Sequence, residues 1–521
     1  MFLKYLDKVY LNSHVLIKNH GVNLLIISGL SVLFFIVNAA IVYLLTGRSL
    51  SDFVPGRSDN VVFYNLISTA IEHGIFSPLA GLNGYLWPGG IVTVAEWGYF
   101  SAHGMFILLP YIFFGNIFGW GGGTPLVIHI VLLTIAFNFV YFCTKSRTKT
   151  VLVQFFAFSF APLLIYFNTM MMEIQMYAWA ILIMAIFYAY VTQPKKSNQI
   201  GLLVAITLAS SGRISNIFFM VPYFALELEK LILKKERFFK NGLYKGIITV
   251  IVIFILFWLN SRLSASFIVN FLSQMQGAVV NDGIAVALQM ILDRFSYQIR
   301  IFVSLHQILI FAYLRYSIIG VSLVLLFNAF IEIGKSVQFR LNVESFALAL
   351  MLVFIALFNI MFYDVGRWRD FRVMAPVFLG VVVYIIMRHD VFKNISKVAA
   401  TIAVVSIIFI SHVANFIPNY FGEFERNPYV HHMHFDHNAQ SRWDNTVLVR
   451  GLQSDFWDLD VGIGVIYGLS WDLNFNELAG KGLRYILVPF YLENIDNYYE
   501  ILASGDDWVV YRLRQAESSI Y

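Results

Sequence analysis

A set of ionisable residues lies at the ends of long apolar runs in this chain, where acids and arginines could act together. The set comprises Asp52, Asp59, His103, Glu173, Arg213, Arg367, Arg369, Asp370 and Arg372. A carboxylate beside arginines suits a reaction in which a base accepts a proton while a phosphate group departs. Any one of these residues is also typical of a charged loop at a membrane boundary. The sequence has no glycine-rich phosphate loop, no cysteine pair with metal-ligand spacing and no Gly-x-Ser-x-Gly elbow.

The composition indicates a membrane protein. Of 521 residues, 59% are hydrophobic and 13% are charged, whereas soluble domains average about 25% charged residues. Apolar runs of the length needed to cross a bilayer lie at 23–46, 124–144, 150–167, 174–192, 246–262, 316–333, 344–362, 371–388 and 397–415. Two shorter runs, 199–210 and 215–229, flank Arg213. We therefore expect an α-helical polytopic protein with about 11 transmembrane helices.

The basic residues indicate the orientation of these helices. Lysines precede the first run and no cleavage site follows it, so this run reads as an uncleaved anchor. The basic loops 145–149 and 230–245 fall on the same side as the N-terminal lysines, which the positive-inside rule makes cytoplasmic. This alternation requires that 103–119 does not cross. The net charge of +5 therefore reflects sorting by side, and we expect no nucleic-acid partner.

The opposite, extracytoplasmic face is expected to carry the segments 47–123, 263–315 and 416–521. The segments 47–123 and 263–315 belong to a transmembrane module that spans residues 1–415. The last contains strand-like runs at Arg484–Pro489 and Trp508–Leu513, which predict a small α/β C-terminal domain. The segment 47–123 contains an amphipathic stretch, Arg57–Gly74, that predicts a helix beginning near Asp59.

Four motifs follow one another along the chain. They are Ser58-Asp59-Asn60 with Asn83-Gly84-Tyr85-Leu86-Trp87-Pro88, then His103-Gly104, then Ala161-Pro162-Leu163-Leu164-Ile165-Tyr166 with Glu173-Ile174-Gln175-Met176-Tyr177, and finally Gly366–Pro376. In order, spacing and side they resemble the GT-C superfamily, the polytopic glycosyltransferases that use lipid-phosphate-linked sugars. The chain departs from the family pattern at Gly104, where proline is usual, and at Gln175, where arginine is frequent. The late segment also lacks the family's tyrosine.

The resemblance implies a GT-C fold and an inverting transfer of one sugar from a polyprenyl phosphate. The residues it singles out are the carboxylates Asp59, Asp52 and Glu173, the donor-phosphate ligands Arg372, Arg369 and Arg213, and the substrate-positioning residues His103, Tyr64 and Trp87. Asp59 would be the base that removes a proton from the acceptor hydroxyl, with Asp52 second. Glu173 would share or orient the acceptor. This scheme requires no metal and no other cofactor.

Other interpretations of the same residues stay open. Asp59 is also suited to cap the helix that it begins, and the arginines are suited to anchor lipid headgroups. The stretch His431–His437 contains four histidines that offer ligands for a transition metal.

The expected donor is linked to undecaprenyl phosphate, in a bacterial inner membrane. The N terminus would be cytoplasmic and the C-terminal domain periplasmic. The expected acceptor is a periplasmic or cell-surface glycan such as lipopolysaccharide O-antigen, and membrane lipids are the other partner. The alternatives are a lipid-linked glycan polymerase or ligase and a lipid or glycan transporter. A transporter would more often carry charges at the membrane midplane, whereas here they concentrate at helix ends.

Overall fold

A computed structural model provides the structure of the protein. It describes residues 2–53, 59–74, 84–87, 90–93, 105–234, 242–263, 283–303, 309–335, 342–362, 371–389, 396–397, 400–404, 433, 443, 446–449, 464–468, 474–493, 495–505 and 508–514. Within these ranges the chain forms a bundle of apolar helices and one mixed β-sheet.

The helices run through most of the described chain. They are α1 (Phe2–Thr46), α2 (Asp59–His73), α3 (Leu109–Phe118), α4 (Thr124–Thr144), α5 (Arg147–Ser159), α6 (Ala161–Phe167), α7 (Glu173–Thr192), α8 (Lys196–Gly212), α9 (Met220–Lys234), α10 (Gly242–Leu263), α11 (Ile284–Val303), α12 (Leu309–Lys335), α13 (Val343–Phe362), α14 (Phe371–Met387) and α15 (Phe475–Gly480). In the described part of the chain, the 3₁₀ segments Leu50–Asp52 and Ile214–Phe219 lie between α-helices.

Among the described helices, five have segments long and apolar enough to cross a membrane. They are His20–Thr46, Thr124–Thr144, Glu173–Thr192, Gly242–Asn260 and Val343–Met361. Shorter apolar segments lie at Leu109–Phe118, Leu314–Phe330 and Arg372–Met387. The expected polytopic helical architecture is therefore confirmed. The predicted total of about 11 spans depends on the shorter helices and on 397–415, most of which lies outside the described residues.

Three details of the predicted spans can be compared with the structure. The run 150–167 is two helices, α5 and α6, which meet at 69°, because Pro162 at the start of α6 cannot donate a hydrogen bond to an incoming helix. The predicted interruption near Arg213 is present, since α8 ends at Gly212 and a 3₁₀ segment follows. Within 103–119, α3 has 10 residues and a length of about 15 Å, too short to cross.

Buried amides fix the loop that leads into α7. The side chains of Asn38 in α1 and Asn168 after α6 exchange two hydrogen bonds, with Nδ2-to-Oδ1 distances of 2.8 and 2.9 Å. His129 Nδ1 in α4 lies 2.8 Å from the Phe167 carbonyl oxygen. Inside an apolar bundle such polar groups are costly unless paired, so these contacts favour one position of the loop before Glu173.

Among the described residues the sheet has seven strands, in the order β2-β1-β4-β3-β5-β7-β6. The strands are β1 (Gly84–Trp87), β2 (Gly90–Thr93), β3 (Thr446–Val449), β4 (Gly464–Gly468), β5 (Tyr485–Val488), β6 (Tyr499–Ser504) and β7 (Val509–Leu513). Both strands predicted from the C-terminal sequence are present as β5 and β7. The hairpin of β1 and β2 comes instead from the first loop, and β1 pairs in parallel with β4.

This shared sheet links two segments that are far apart in sequence. Its C-terminal part has its own core, in which Leu448, Ile486, Tyr499 and Tyr511 are buried. An open sheet cannot lie across the hydrocarbon layer because its edges would be unsatisfied there. The hairpin at 84–93 and the C-terminal strands therefore lie on one and the same side of the membrane.

Candidate active site

A buried ion pair joins the start of α7 to the end of α8. Glu173 is the first residue of α7, and Arg213 directly follows α8. Arg213 Nη1 donates a hydrogen bond to Glu173 Oε1 at 3.1 Å, and the two side chains are only 5% and 2% exposed. Because α7 and α8 are consecutive and packed together, these two helix ends lie at the same end of the bundle.

A second arginine approaches the same carboxylate oxygen from α14. Arg372 is the second residue of α14, and its Nε lies 3.5 Å from Glu173 Oε1. Two guanidinium groups thus converge on one carboxylate, and these three side chains together carry one excess positive charge. In surroundings of low dielectric constant such a charge attracts an anion more strongly than it would in water.

Several polar atoms around this ion pair have no hydrogen-bond partner within the described part of the chain. They are Glu173 Oε2, Gln175 Oε1, Tyr177 Oη, and Nε and Nη2 of Arg213. Each unsatisfied buried group typically costs about 1–3 kcal/mol, and more if it is charged. Two nitrogen donors of one guanidinium are thus available in a buried place, and paired N–H donors match phosphate or carboxylate oxygens. The arrangement is chemically suited to bind an anion.

The start of α2 is tied to the loop that leads into Glu173. Asn60 is buried, and its Oδ1 accepts a hydrogen bond from the Met170 backbone N–H at 2.8 Å. Asp59, the predicted base, is the first residue of α2, and its side chain lies outside the described atoms. The backbone of Asp59 therefore lies next to the segment that leads into Glu173, and α2 begins where the sequence predicts. The catalytic role of Asp59 stays a prediction.

Asp52, the second candidate base, has a local structural contact. Its Oδ2 accepts hydrogen bonds from the Ser49 backbone N–H at 2.7 Å and from Ser49 Oγ at 2.9 Å. The backbone hydrogen bond from Ser49, followed by the side-chain bond, lowers the pKa of Asp52 below its usual value. A carboxylate with a lowered pKa is a weaker base, so this environment favours a capping role for Asp52.

Tyr64 lies on α2 and is half-buried against Trp120, with ring centroids 5.0 Å apart. Burial, and then the charge of Glu72, raise the pKa of Tyr64 to about 12. The hydroxyl is therefore protonated at neutral pH and can donate a hydrogen bond.

The other predicted site residues can be placed only in part. Trp87 ends β1, but its side chain lies outside the described atoms. His103, Arg369 and the histidine-rich stretch 431–437, apart from Met433, lie outside the described residues. Among the residues that the structure does describe, no group of three potential metal ligands occurs.

Sequence reasoning missed two buried contacts near these residues. Asn60 stands beside Asp59 in the first motif, which implies no role for it, and the sequence does not indicate that Asn38 and Asn168 form a pair. A single amide inside an apolar run is the available signal, because polar side chains within a bundle generally have partners. Which partner each amide has depends on packing between distant helices.

Comparisons with known proteins give a likeness of structure alone. No protein-family model matches the chain, and no curated protein matches it. The chain is similar to the crystal structure of ArnT from Cupriavidus metallidurans bound to undecaprenyl phosphate, with 11% identity, coverage of 94% of this chain and 99% of that chain, and a TM-score of 0.38. The apo structure of the same ArnT gives 11% identity, coverage of 93% and 97%, and the same TM-score of 0.38. A likeness at this level transfers no residue, ligand or activity.

Proposed function

We propose that this protein is a GT-C-type membrane glycosyltransferase. It would move one monosaccharide from a polyprenyl-phosphate donor, with undecaprenyl phosphate as the lipid, to a periplasmic or cell-surface glycan such as O-antigen. The observation that carries the proposal is the convergence of Arg213 and Arg372 on Glu173 at one end of the bundle. The family motifs in the sequence contribute the reaction type.

In the proposed reaction the acceptor hydroxyl oxygen attacks the anomeric carbon of the donor sugar. The bond from that carbon to the phosphate oxygen breaks, and its electron pair leaves with the phosphate. Asp59 accepts the hydroxyl proton, a contribution typically of about 10²–10⁴-fold in rate. Arg213 and Arg372 bind the phosphate as its negative charge increases. A single displacement of this kind inverts the anomeric configuration.

Glu173 has a different role in this proposal from that of a base. Its Oε1 is already engaged by Arg213 and Arg372, which orients both guanidinium groups before the donor arrives. Preorganised donors act without reorganisation during the reaction. We therefore assign Glu173 the positioning of the two arginines.

The shared sheet suggests where the acceptor would bind. The sheet joins the C-terminal strands to the hairpin that follows α2, the helix that begins at Asp59. A glycan bound to the sheet would therefore be on the same side of the membrane as Asp59. We infer that the protein resides in a bacterial inner membrane with a cytoplasmic N terminus and a periplasmic sheet.

The test uses the purified protein in liposomes with undecaprenyl phosphate carrying a labelled hexose or pentose, and membranes from a strain lacking the gene as the source of acceptor. Transfer of label and release of undecaprenyl phosphate are expected. Asp59→Asn should reduce transfer by about 100-fold or more, and it should leave the start of α2 in place because Asn and Asp are both well tolerated at helix starts. Asp52→Asn is the matched control and should reduce transfer far less.

The same strain supplies an independent readout. Mass spectrometry of its surface glycan should show the loss of one sugar per repeat. An unchanged glycan together with altered lipid export would support a transporter instead, and a loss of chain length would support a polymerase or ligase.

A further inference from the structure

One fully buried face of α13 ends in an amide. Leu348, Leu352 and Ile355 follow each other at helical spacing on this face and are 0% exposed. Asn359 continues the same row and is also 0% exposed. The amide of Asn359 therefore occupies a buried position where an apolar side chain would pack without a desolvation penalty.

Asn359 is an exception among the buried asparagines of the described chain. The others, Asn38, Asn60, Asn168, Asn216 and Asn260, each have a hydrogen bond. Both Nδ2 and Oδ1 of Asn359 have no partner among the described residues. Burial of an amide without a hydrogen bond costs about 1–3 kcal/mol by protein mutational data, so a buried amide of this kind calls for an explanation.

The position of Asn359 relates it to the arginines. It lies three residues before the end of α13, and Arg372 is the second residue of α14, the helix that follows. The two helices pack together, and α13 also packs on the 3₁₀ segment that directly follows Arg213. The rings of Phe358 and Phe218 are in contact across this boundary, with centroids 5.3 Å apart. Asn359 and both arginines therefore lie at the same end of the bundle.

The chemistry of an amide decides what it can bind there. A side-chain amide presents two donors and one acceptor oxygen. A phosphate oxygen only accepts hydrogen bonds, so a bound phosphate would leave the amide oxygen of Asn359 unsatisfied. Arg213 and Arg372 already supply donors for a phosphate. A hydroxyl both donates and accepts, and neighbouring hydroxyls of a sugar ring would satisfy both ends of the amide.

We propose that Asn359 binds a hydroxyl group of the sugar that is transferred, next to the phosphate held by the arginines. The inference rests on the proposed function and adds a residue that recognises the sugar rather than the lipid phosphate. It assigns phosphate and sugar recognition to different helices, with the arginines from α8 and α14 and the amide from α13.

The test compares Asn359→Leu, which has the same number and branching of side-chain heavy atoms but no hydrogen-bonding groups, with Asn359→Thr, which retains one donor and one acceptor. The ligands are undecaprenyl phosphate alone and undecaprenyl phosphate carrying the hexose or pentose that the wild-type protein transfers. Asn359→Leu should bind the bare lipid phosphate as the wild type does. It should lose about 10-fold in affinity for the sugar-linked lipid and in kcat/KM. Asn359→Thr should restore part of this loss.

Thermal stability separates recognition from folding. Asn359→Leu removes an unsatisfied buried amide, so its denaturation temperature without ligand should equal or exceed that of the wild type. The control Asn328→Leu removes the 2.8 Å hydrogen bond that Asn328 Nδ2 in α12 donates to Ser345 Oγ in α13, and should lower stability without changing the preference for the sugar-linked lipid. If Asn359→Leu keeps full preference for the sugar-linked lipid, the inference is wrong while the proposed function stands. If the wild type itself binds neither lipid, the proposed function is wrong.

Discussion

Replacement of Glu173 by glutamine tests how the two arginines are held. The change removes one negative charge between two guanidinium groups at 3.1 and 3.5 Å, with little change in volume. At an effective dielectric constant of about 20, each separation corresponds to an attraction of about 5 kcal/mol, which desolvation largely offsets. Removal of one partner from a buried pair costs about 3–5 kcal/mol, because the remaining charges stay buried without compensation.

The variant Glu173→Gln should therefore be less stable in detergent than the wild type, yet more responsive to an anion. A lipid phosphate would supply the negative charge that the carboxylate no longer supplies. Thermal denaturation with and without undecaprenyl phosphate measures both effects. We expect a lower denaturation temperature without ligand and a larger increase on addition of the lipid than in the wild type. An unchanged denaturation temperature and an unchanged response to the lipid would refute the assigned role of Glu173.

Three further predictions concern binding, packing and topology. Arg372→Ala should weaken the binding of undecaprenyl phosphate. Arg372→Lys should restore only part of the affinity, since an ammonium group cannot reproduce the paired donors of a guanidinium. Equal affinities of all three proteins in a binding titration would remove Arg372 from the site. Gly122→Ala should destabilise the protein by about 1–3 kcal/mol, because a Cβ there would lie 2.6 Å from a backbone carbonyl oxygen. Gly121→Ala, with nothing within 4 Å, should be neutral in the same thermal assay. An alkaline phosphatase fusion after residue 420 should be active and one within 230–245 inactive, and the reverse result would invert the proposed orientation.

Much of the bundle could be predicted because long apolar runs are a local signal. The interruption between α8 and α9 was also visible, since Ser210-Ser211-Gly212-Arg213 breaks an apolar pattern. The break between α5 and α6 was not predicted, because hydropathy alone does not register the proline. The β1–β2 hairpin was missed as part of the sheet, since its parallel partner lies more than 370 residues later in the chain and such pairing leaves no local pattern.

The candidate site, like the fold, could be predicted from the sequence only in part. Glu173, Arg213 and Arg372 could be named from sequence, because ionisable residues next to apolar runs are easily recognised. Their meeting at one oxygen could not be predicted, since it depends on how α7, α8 and α14 pack. Asn60 stands in a motif, but the motif does not reveal its partner. Asn359 hardly changes the hydropathy of its apolar run, although the burial of an amide has a large energetic effect.

The parallel pairing of β1 with β4 imposes an order on biosynthesis. The hairpin is synthesised early, but the strand that covers its edge is made only after the entire helical bundle has been synthesised. During that interval the hairpin exposes an unpaired strand edge, which is a template for pairing with other chains. Chains that stop before residue 464 would keep this edge permanently. Premature termination late in the gene should therefore yield products that aggregate or are degraded, even when every membrane helix has been inserted.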